Sequence, residues 1–256
     1  MGDWGHSANT AEDVGRGKRG NGELCKLLRA LASIEGLERL RVSSLDPADI
    51  DEEFLQTVGN SPGICPHLHL ALQAGSASTL RRMRRRYTPE QYLKAARRWR
   101  EIRPDGGLTT DIIVGFPGET EEEFQGSLEV ARAAAFSDIH VFPYSPRLGT
   151  AAAEMGALVP PEVQNRHVAE LLQLARQLSR DYAIQFIGQQ LPVLIEAAHR
   201  EEGIIEGRTP HYVKARARPD GPLPETGEVA WITMERWADG ALEGRLTRVG
   251  NRLVLE

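Results

Sequence analysis

Four groups of residues carry chemistry by type and spacing. The first is Gly115, Pro117 and Gly118, within DIIVGFPGETEEEF, Asp111 to Phe124. Gly115 and Gly118 shape a turn where a ligand can approach bare backbone. The helix start that follows offers free N–H donors to an anion, but Glu119 and Glu121 to Glu123 would repel one there. The second is HLHLALQ, His67 to Gln73, whose strict alternation puts His69 and Gln73 on one face with His67 and Ala71. That face reads as ligand-contacting, with Ala71 opening space, or as polar filling satisfied by its neighbours. The third is basic. From Arg81 to Arg103 ten Lys or Arg stand against two Glu, a local net of +8 in a chain of −5. Such a patch tracks phosphates or is a solvated helical face. The fourth is thiol. Cys25 and Cys65 form no CxxC or Cys–His grouping, so no metal ligand is assigned and both read as reduced core residues.

These groups need elements to position them. Leu24, Leu27, Leu28 and Leu31 predict a helix over Glu23–Ser33, followed by a strand over Leu37–Leu45 and a helix over Ala48–Val58. His67–Gln73 is the next strand, Ala77–Arg86 a short basic helix, and Thr88, Pro89 and Gln91 open another helix with a capping box. Leu108–Gly115 is a buried β-branched strand, Thr120 and Glu123 cap a helix over Glu121–Ala135, and a strand from Asp138 stops at Pro143. Such alternation calls for parallel strands joined by right-handed crossovers. Arg147–Val159 reads as a loop. A long helix follows, with Val168, Leu171, Leu172, Ala175, Leu178, Tyr182 and Phe186 as its apolar stripe. From Leu191 the runs LPVLIEAA, HYVKARA, EVAWITM and ALEGRLTRV suggest a small closed β-barrel, with the domain boundary near Gly188. Residues 1–21 read as an irregular lead-in. Gly15 to Gly20 matches G-x-G-x-x-G, but no strand precedes it, so the dinucleotide reading fails.

At 256 residues, 26% charged and 41% hydrophobic, the chain suits one large α/β domain and a small second one. No stretch approaches the roughly 18 apolar residues of a membrane span, and the first residues lack a signal's apolar core, so the cytoplasm is expected.

The blocks HLHLALQAGSASTLRRMRRRYTPEQY, TTDIIVGFPGETEEEF and IHVFPYSPRLGTAAA resemble consecutive segments of the methylthiotransferases of the radical S-adenosylmethionine (SAM) superfamily. GDWG and LERLRVSSLDP fit the same family, and HLALQAGS and HVFPYSPRLGTAAA are most similar to the tRNA branch that methylthiolates threonylcarbamoyladenosine beside the anticodon. The resemblance runs to about Gly188; the remainder resembles, more weakly, the family's RNA-binding TRAM barrel. It implies an α/β chain, with residues 1–188 the C-terminal part of a partial TIM-like (β/α) barrel lacking its first strands. Residues 189–256 would be a TRAM-like β-barrel. By position it implies that Ser43, Ser44, His69, Gln73 and Ser76 line the SAM site, together with Ile113, Gly115, Phe142 and Tyr144. Arg81 and Arg84 would meet the cofactor carboxylate or RNA, and Arg82, Arg85 and Arg86 RNA.

The family's chemistry rests on two 4Fe–4S clusters, one held by a CxxxCxxC triplet and one by three cysteines of a separate N-terminal domain. Neither segment is found in these 256 residues, and neither Cys25 nor Cys65 matches a family ligand. The chain is therefore expected to be an N-terminally truncated tRNA methylthiotransferase, inactive in isolation, with a separate polypeptide as one source of the remaining half. A second reading is a non-catalytic RNA-binding protein built on the same scaffold. Its barrel segment, 189–256, has a net charge of −2, so it would lean on a local patch or on stacking by Tyr212, Trp231 or Trp237. A third, ranked last, is an unrelated partial-barrel enzyme holding a phosphate at the Gly115–Gly118 turn.

Overall fold

The structure is a computed structural model that describes residues 22–250 and 253–255. The GDWG block and the Gly15–Gly20 loop lie outside them. In the first part of the chain, α1 (Gly22–Ala32), β1 (Leu37–Leu40), α2 (Glu52–Asn60), β2 (His67–His69) and α3 (Ala77–Arg82) follow in order. Then come α4 (Pro89–Ile102), β3 (Gly107–Val114), α5 (Glu121–Ala134), β4 (Asp138–Pro143), α6 (Ala151–Glu154) and α7 (Pro161–Ala183). The capping boxes hold at both predicted starts: Thr88 with Gln91 on α4, and Thr120 with Glu123 on α5.

Strands β2, β3 and β4 form a parallel sheet in that order. One face, Leu68, Leu108, Ile112, Val114 and Ile139, is buried in a core shared with the helices. On the opposite face Asp111, Ile113 and His140 are half-buried and Phe142 is exposed. The sequence predicts a partial TIM-like barrel; the described residues show a mixed α/β fold with this three-stranded parallel sheet. Single bridges, Leu40 to Ile64 and Leu45 to Leu70, carry the arc on toward β1.

Several predicted elements are shorter than expected, each for a local reason. The strand expected over Leu37–Leu45 is regular to Leu40, and its open side pairs in parallel with β10 (Leu253–Leu255). The helix expected from Ala48 begins at Glu52. Asp46 and Asp51 each accept a backbone N–H, splitting the segment into a 3-10 turn, Pro47–Asp49, and α2. The strand predicted to run to Gln73 is regular to His69. Beyond it, side chains share the backbone bonding with isolated bridges at Leu70 and Gln73. Tyr92 Oη and Thr110 Oγ1 donate to the Leu70 carbonyl, Tyr87 Oη donates to those of Ala71 and Leu72, and Thr110 Oγ1 accepts from Leu72 N–H. The loop expected over Arg147–Val159 contains the short helix α6. On α7, Leu172 faces outward from the predicted stripe.

The second core belongs to β5 (Gln190–His199), β6 (Ile204–Arg208), β7 (Lys214–Ala217), β8 (Val229–Ala238) and β9 (Ala241–Gly250). These strands close in the order β5-β6-β7-β9-β8. Strand β6 was not anticipated; its sequence, IIEGR, is short and lacks clear alternation. Gly207 and Gly244 let neighbouring strands cross closely at the barrel corners.

The barrel packs on the N-terminal end of the parallel sheet. The buried Arg39 donates to the carbonyls of Arg208 (2.8 Å) and Pro192 (2.7 Å). Tyr182 Oη donates to the Asp105 carbonyl at 2.7 Å, and His211 Nε2 lies 3.1 Å from the Asp105 carboxylate. Tyr212 stacks on His67, with the guanidinium groups of Arg41 and Arg208 over its ring. Toward the C-terminal ends of the strands, among the described residues, Phe142 is exposed and Asp111, Ile113 and His140 are half-buried; this end is the mouth of the sheet. Among the described residues no helix is long and apolar enough to cross a membrane.

Helix α5 lies so close to the β2–α3 turn that a Cβ on Gly75 would overlap the Ser127 Cα and the Gly126 carbonyl. Gly75→Ala is therefore expected to destabilise the chain by about 1–3 kcal/mol, since backbone rather than a flexible side chain must move. Urea unfolding monitored by circular dichroism measures it; an unchanged midpoint contradicts the packing.

Candidate functional site

The uncovered face of the sheet is built by register. His69 pairs with Thr109 across β2 and β3, and Asp111 pairs with His140 across β3 and β4. Because side chains repeat every second residue, Thr109, Asp111 and Ile113 share a face, as do His140 and Phe142 beside them. Thr109 Oγ1 lies 2.9 Å from both His67 Nε2 and His69 Nδ1. His69 Nε2 is 3.3 Å from one Asp111 oxygen, and His140 Nδ1 is 3.0 Å from the other. A polar ladder therefore runs from His67, at the covered end, through Thr109 and His69 to Asp111 and His140.

Burial, reinforced by the nearby Arg41 charge, holds His67 well below the usual imidazole range, so it is neutral. Its Nδ1 is buried with no hydrogen-bond partner in the described structure. The single proton then belongs on Nε2, where it is donated to Thr109. A hydroxyl has two lone pairs and one proton, so Thr109 can also accept from His69 or donate to it.

The turn after β3 closes one side of the mouth. Gly115 and Gly118 both have positive φ, 78° and 74°. The bare backbone expected to receive a ligand at Gly115 is covered instead: a Cβ there would lie 2.6 Å from Gln164 Nε2, reaching over from α7. That amide donates to the carbonyls of Val114 and Tyr144, each at 3.1 Å. Glu119 accepts the Gly115 N–H at 2.6 Å, and burial pushes its carboxyl up to about 7. Gln73, at φ 65°, donates its N–H to the Asp111 carbonyl (2.8 Å) and accepts from Ile113 N–H (2.9 Å). Tyr144 N–H donates to the Val114 carbonyl, and its buried hydroxyl has no partner in the described structure.

Of the residues implied by the resemblance, His69, Gln73, Ile113, Gly115, Phe142 and Tyr144 thus converge on one end of the sheet. Ser43 and Ser44 lie in the exposed loop before Leu45, whose N–H donates to the His69 carbonyl. Ser76 is engaged elsewhere. Its hydroxyl meets Ser78, which donates to Glu123. Arg82 is not a free phosphate contact, because both its terminal nitrogens bind the Glu123 carboxylate, at 3.0 and 2.6 Å. This guanidinium holds Glu123 down at about 2. Arg86 pairs with Asp49 and Asp46, while Arg81, Arg84 and Arg85 are exposed. Arg98 and Arg103 pair with acids, and Arg100 donates to the carbonyls of Gly106 and Ala135. Much of the basic run is therefore committed to structure. Asp111, His140, Thr109, Glu119 and Gln164 were not anticipated. Two-residue periodicity along β3 and β4 marks the first three; the last two depend on tertiary contacts.

Residues 19–131 match the family model "Radical SAM superfamily". A tRNA-2-methylthio-N(6)-dimethylallyladenosine synthase of Saccharopolyspora erythraea is 39% identical over 222 residues, covering 83% of this chain and 45% of that protein. The protein of the same name from a Parafrankia species is 38% identical over 254 residues, covering 93% and 51%. These matches support the radical SAM methylthiotransferase family. The chain spans about half the length of these curated relatives. The relatives bear the dimethylallyladenosine name, so the threonylcarbamoyladenosine branch expected from the sequence is not supported. Among solved structures, coproporphyrinogen III oxidase of Escherichia coli, a radical SAM enzyme, aligns with 64% of this chain and 38% of its own. That alignment has a TM-score of 0.49 and 22% identity.

The radical SAM family implies SAM and 4Fe–4S clusters. For SAM the residues fit: the part-exposed face offers the apolar Ile113 and Phe142, and the Tyr144 hydroxyl beside the turn is buried with no partner in the described structure. For a cluster the cysteines present do not fit. Cys25 and Cys65 are the two cysteines of the sequence, and both are free and buried. Burial also raises Cys25 above the usual thiol range, opposite to what a thiolate ligand needs.

The Glu119 carboxyl gives a pH signature. Between its ordinary 4.5 and about 7, the folded chain keeps a proton that the unfolded chain has lost. Stability from this group is therefore full below 4.5 and falls as pH rises to about 7. Glu119→Gln keeps an acceptor for Gly115 and should flatten that slope, gaining roughly 1–3 kcal/mol relative to wild type at pH 8. Urea midpoints at pH 5 and pH 8 read it out; parallel wild-type and variant curves refute it.

Proposed function

We propose that this chain is the cofactor- and nucleoside-binding part of a tRNA methylthiotransferase acting on a dimethylallyladenosine-type nucleoside. The observation carrying this reading is the single accessible face at the mouth of β2–β4. There His69, Asp111, His140, Ile113 and Phe142 stand together, in a chain whose relatives bear that synthase name. When bound and reduced by one electron from an iron–sulfur cluster, SAM would supply the chemistry that opens a C–H bond, and also a methyl group. The residues of this chain bind and orient. Ile113 and Phe142 give an apolar shelf for an adenine ring. The covered N-terminal end of the sheet keeps water from entering beneath them. The buried Cys25 and Cys65 take no part as cluster ligands. Exposed Arg81, Arg84 and Arg85 meet tRNA phosphates, and the β-barrel serves as a TRAM-like RNA contact. Tyr212 takes no part in stacking on RNA, being enclosed by Arg41, Arg208 and His67.

Two titrations test this. Calorimetric titration with SAM should show saturable one-to-one binding that Ile113→Asp weakens at least about tenfold, since a charge on the shelf is left unpaired against adenine. In tRNA binding, Arg81→Ala, Arg84→Ala and Arg85→Ala together should reduce the slope of log K against log salt by about two to three. No SAM binding at millimolar concentration overturns the cofactor assignment, and an unchanged salt slope overturns the tRNA-contact assignment.

A further inference from the structure

We propose that His69, Asp111 and His140 form a binding site for a divalent first-row transition cation at the mouth of the sheet. The three side chains come from three adjacent strands, and their ligating atoms lie within 4.8 Å of one another. A metal holding two such donors at about 2.0–2.1 Å sets them roughly 3.0–3.5 Å apart. The two histidine–carboxylate separations, 3.3 and 3.0 Å, are already at that spacing. Two imidazoles and one carboxylate suit iron(II), cobalt(II), nickel(II) or zinc(II) rather than magnesium or calcium.

Three further observations favour a cation over a hydrogen-bonded triad. First, His69 is oriented as a ligand. Its Nδ1 is tied to the buried Thr109 hydroxyl, which points Nε2 at Asp111, the outer-shell arrangement common to metal-binding histidines. The Thr109 hydroxyl lies 2.9 Å from both His67 Nε2 and His69 Nδ1, so the His69 ring is fixed from its inner side. Second, the ion pairs of Asp111 among the described residues are with these two histidines, and no Lys or Arg among them neutralises it. Third, Asp111 and His140 are accessible at 29% and 41% of their side-chain surface, so coordination positions stay open to an exogenous ligand. The site uses no cysteine.

Binding replaces the contacts of Asp111 with His69 Nε2 and His140 Nδ1 by bonds to the metal, with no change in oxidation state. The test uses the full chain, freed of metal by chelation, titrated with cobalt(II) chloride alone at pH 7.5. Calorimetry and visible absorption follow the binding. The expected result is one cobalt per chain with imidazole–oxygen-type absorption and no thiolate charge-transfer band. Asp111→Asn and His140→Ala should each weaken binding at least tenfold, and His211→Gln, at the sheet's other end, should leave it unchanged. His140 is half-exposed, so His140→Ala decides the matter even where Asp111→Asn unfolds. No binding, thiolate absorption, or wild-type affinity in His140→Ala overturns the proposal. The titration contains no SAM, so its outcome is independent of the SAM titration above.

Discussion

Everything at the mouth depends on the parallel register that sets Asp111 opposite His140 and His69 opposite Thr109. A slip of one residue in β3 would turn Asp111 and Ile113 into the core and bring Ile112 and Val114 out. The slip is prevented by what the other face buries. Leu108, Ile112 and Val114 are almost fully enclosed, and Thr110 is tied by its hydroxyl to the Leu70 carbonyl and Leu72 N–H. The chemistry-bearing face is thus fixed by the apolar face behind it. Hydrophobic burial gives the pairing its energy, and the polar ladder inherits its geometry.

Local signals in the sequence were read well where the structure is local. Both capping boxes, the proline ends of helices and strands, and the alternation at His67 belong to this class. What could not be read was decided by contacts distant in sequence. Arg82 looks like its exposed neighbours until α5 brings Glu123 beside it. Gly115 looks like open backbone until α7 lays Gln164 across it. Tyr212 looks like a stacking platform until Arg41 and His67, from the other core, enclose it. In each case the residue type was informative and the partner lay forty or more positions away.

Of the candidate site, half was legible. His69, Gln73, Ile113, Phe142 and Tyr144 came from the resemblance, and they do converge. Asp111 and His140 were missed because neither sits in an eye-catching motif; their meaning comes from being cross-strand neighbours. A strict two-residue count along both strands, combined with a parallel pairing of β3 and β4, would have placed them together.

The barrel's docking bears on the same site from below. Tyr212, held by Arg41 and Arg208, packs flat on His67 at 4.7 Å, and His67 reaches Thr109, which in turn touches His69. The ring of Tyr212 therefore supports the first member of the ladder, and the buried bonds of Arg39 to two barrel carbonyls keep that support in place. Two positive charges beside His67, together with burial, disfavour its imidazolium. A neutral His67 has one N–H to give, and Thr109 is the acceptor in reach. The protonation of the innermost ring is set by burial and by Arg41, with Arg208 of the barrel a smaller contributor. This makes the second core part of the site's construction.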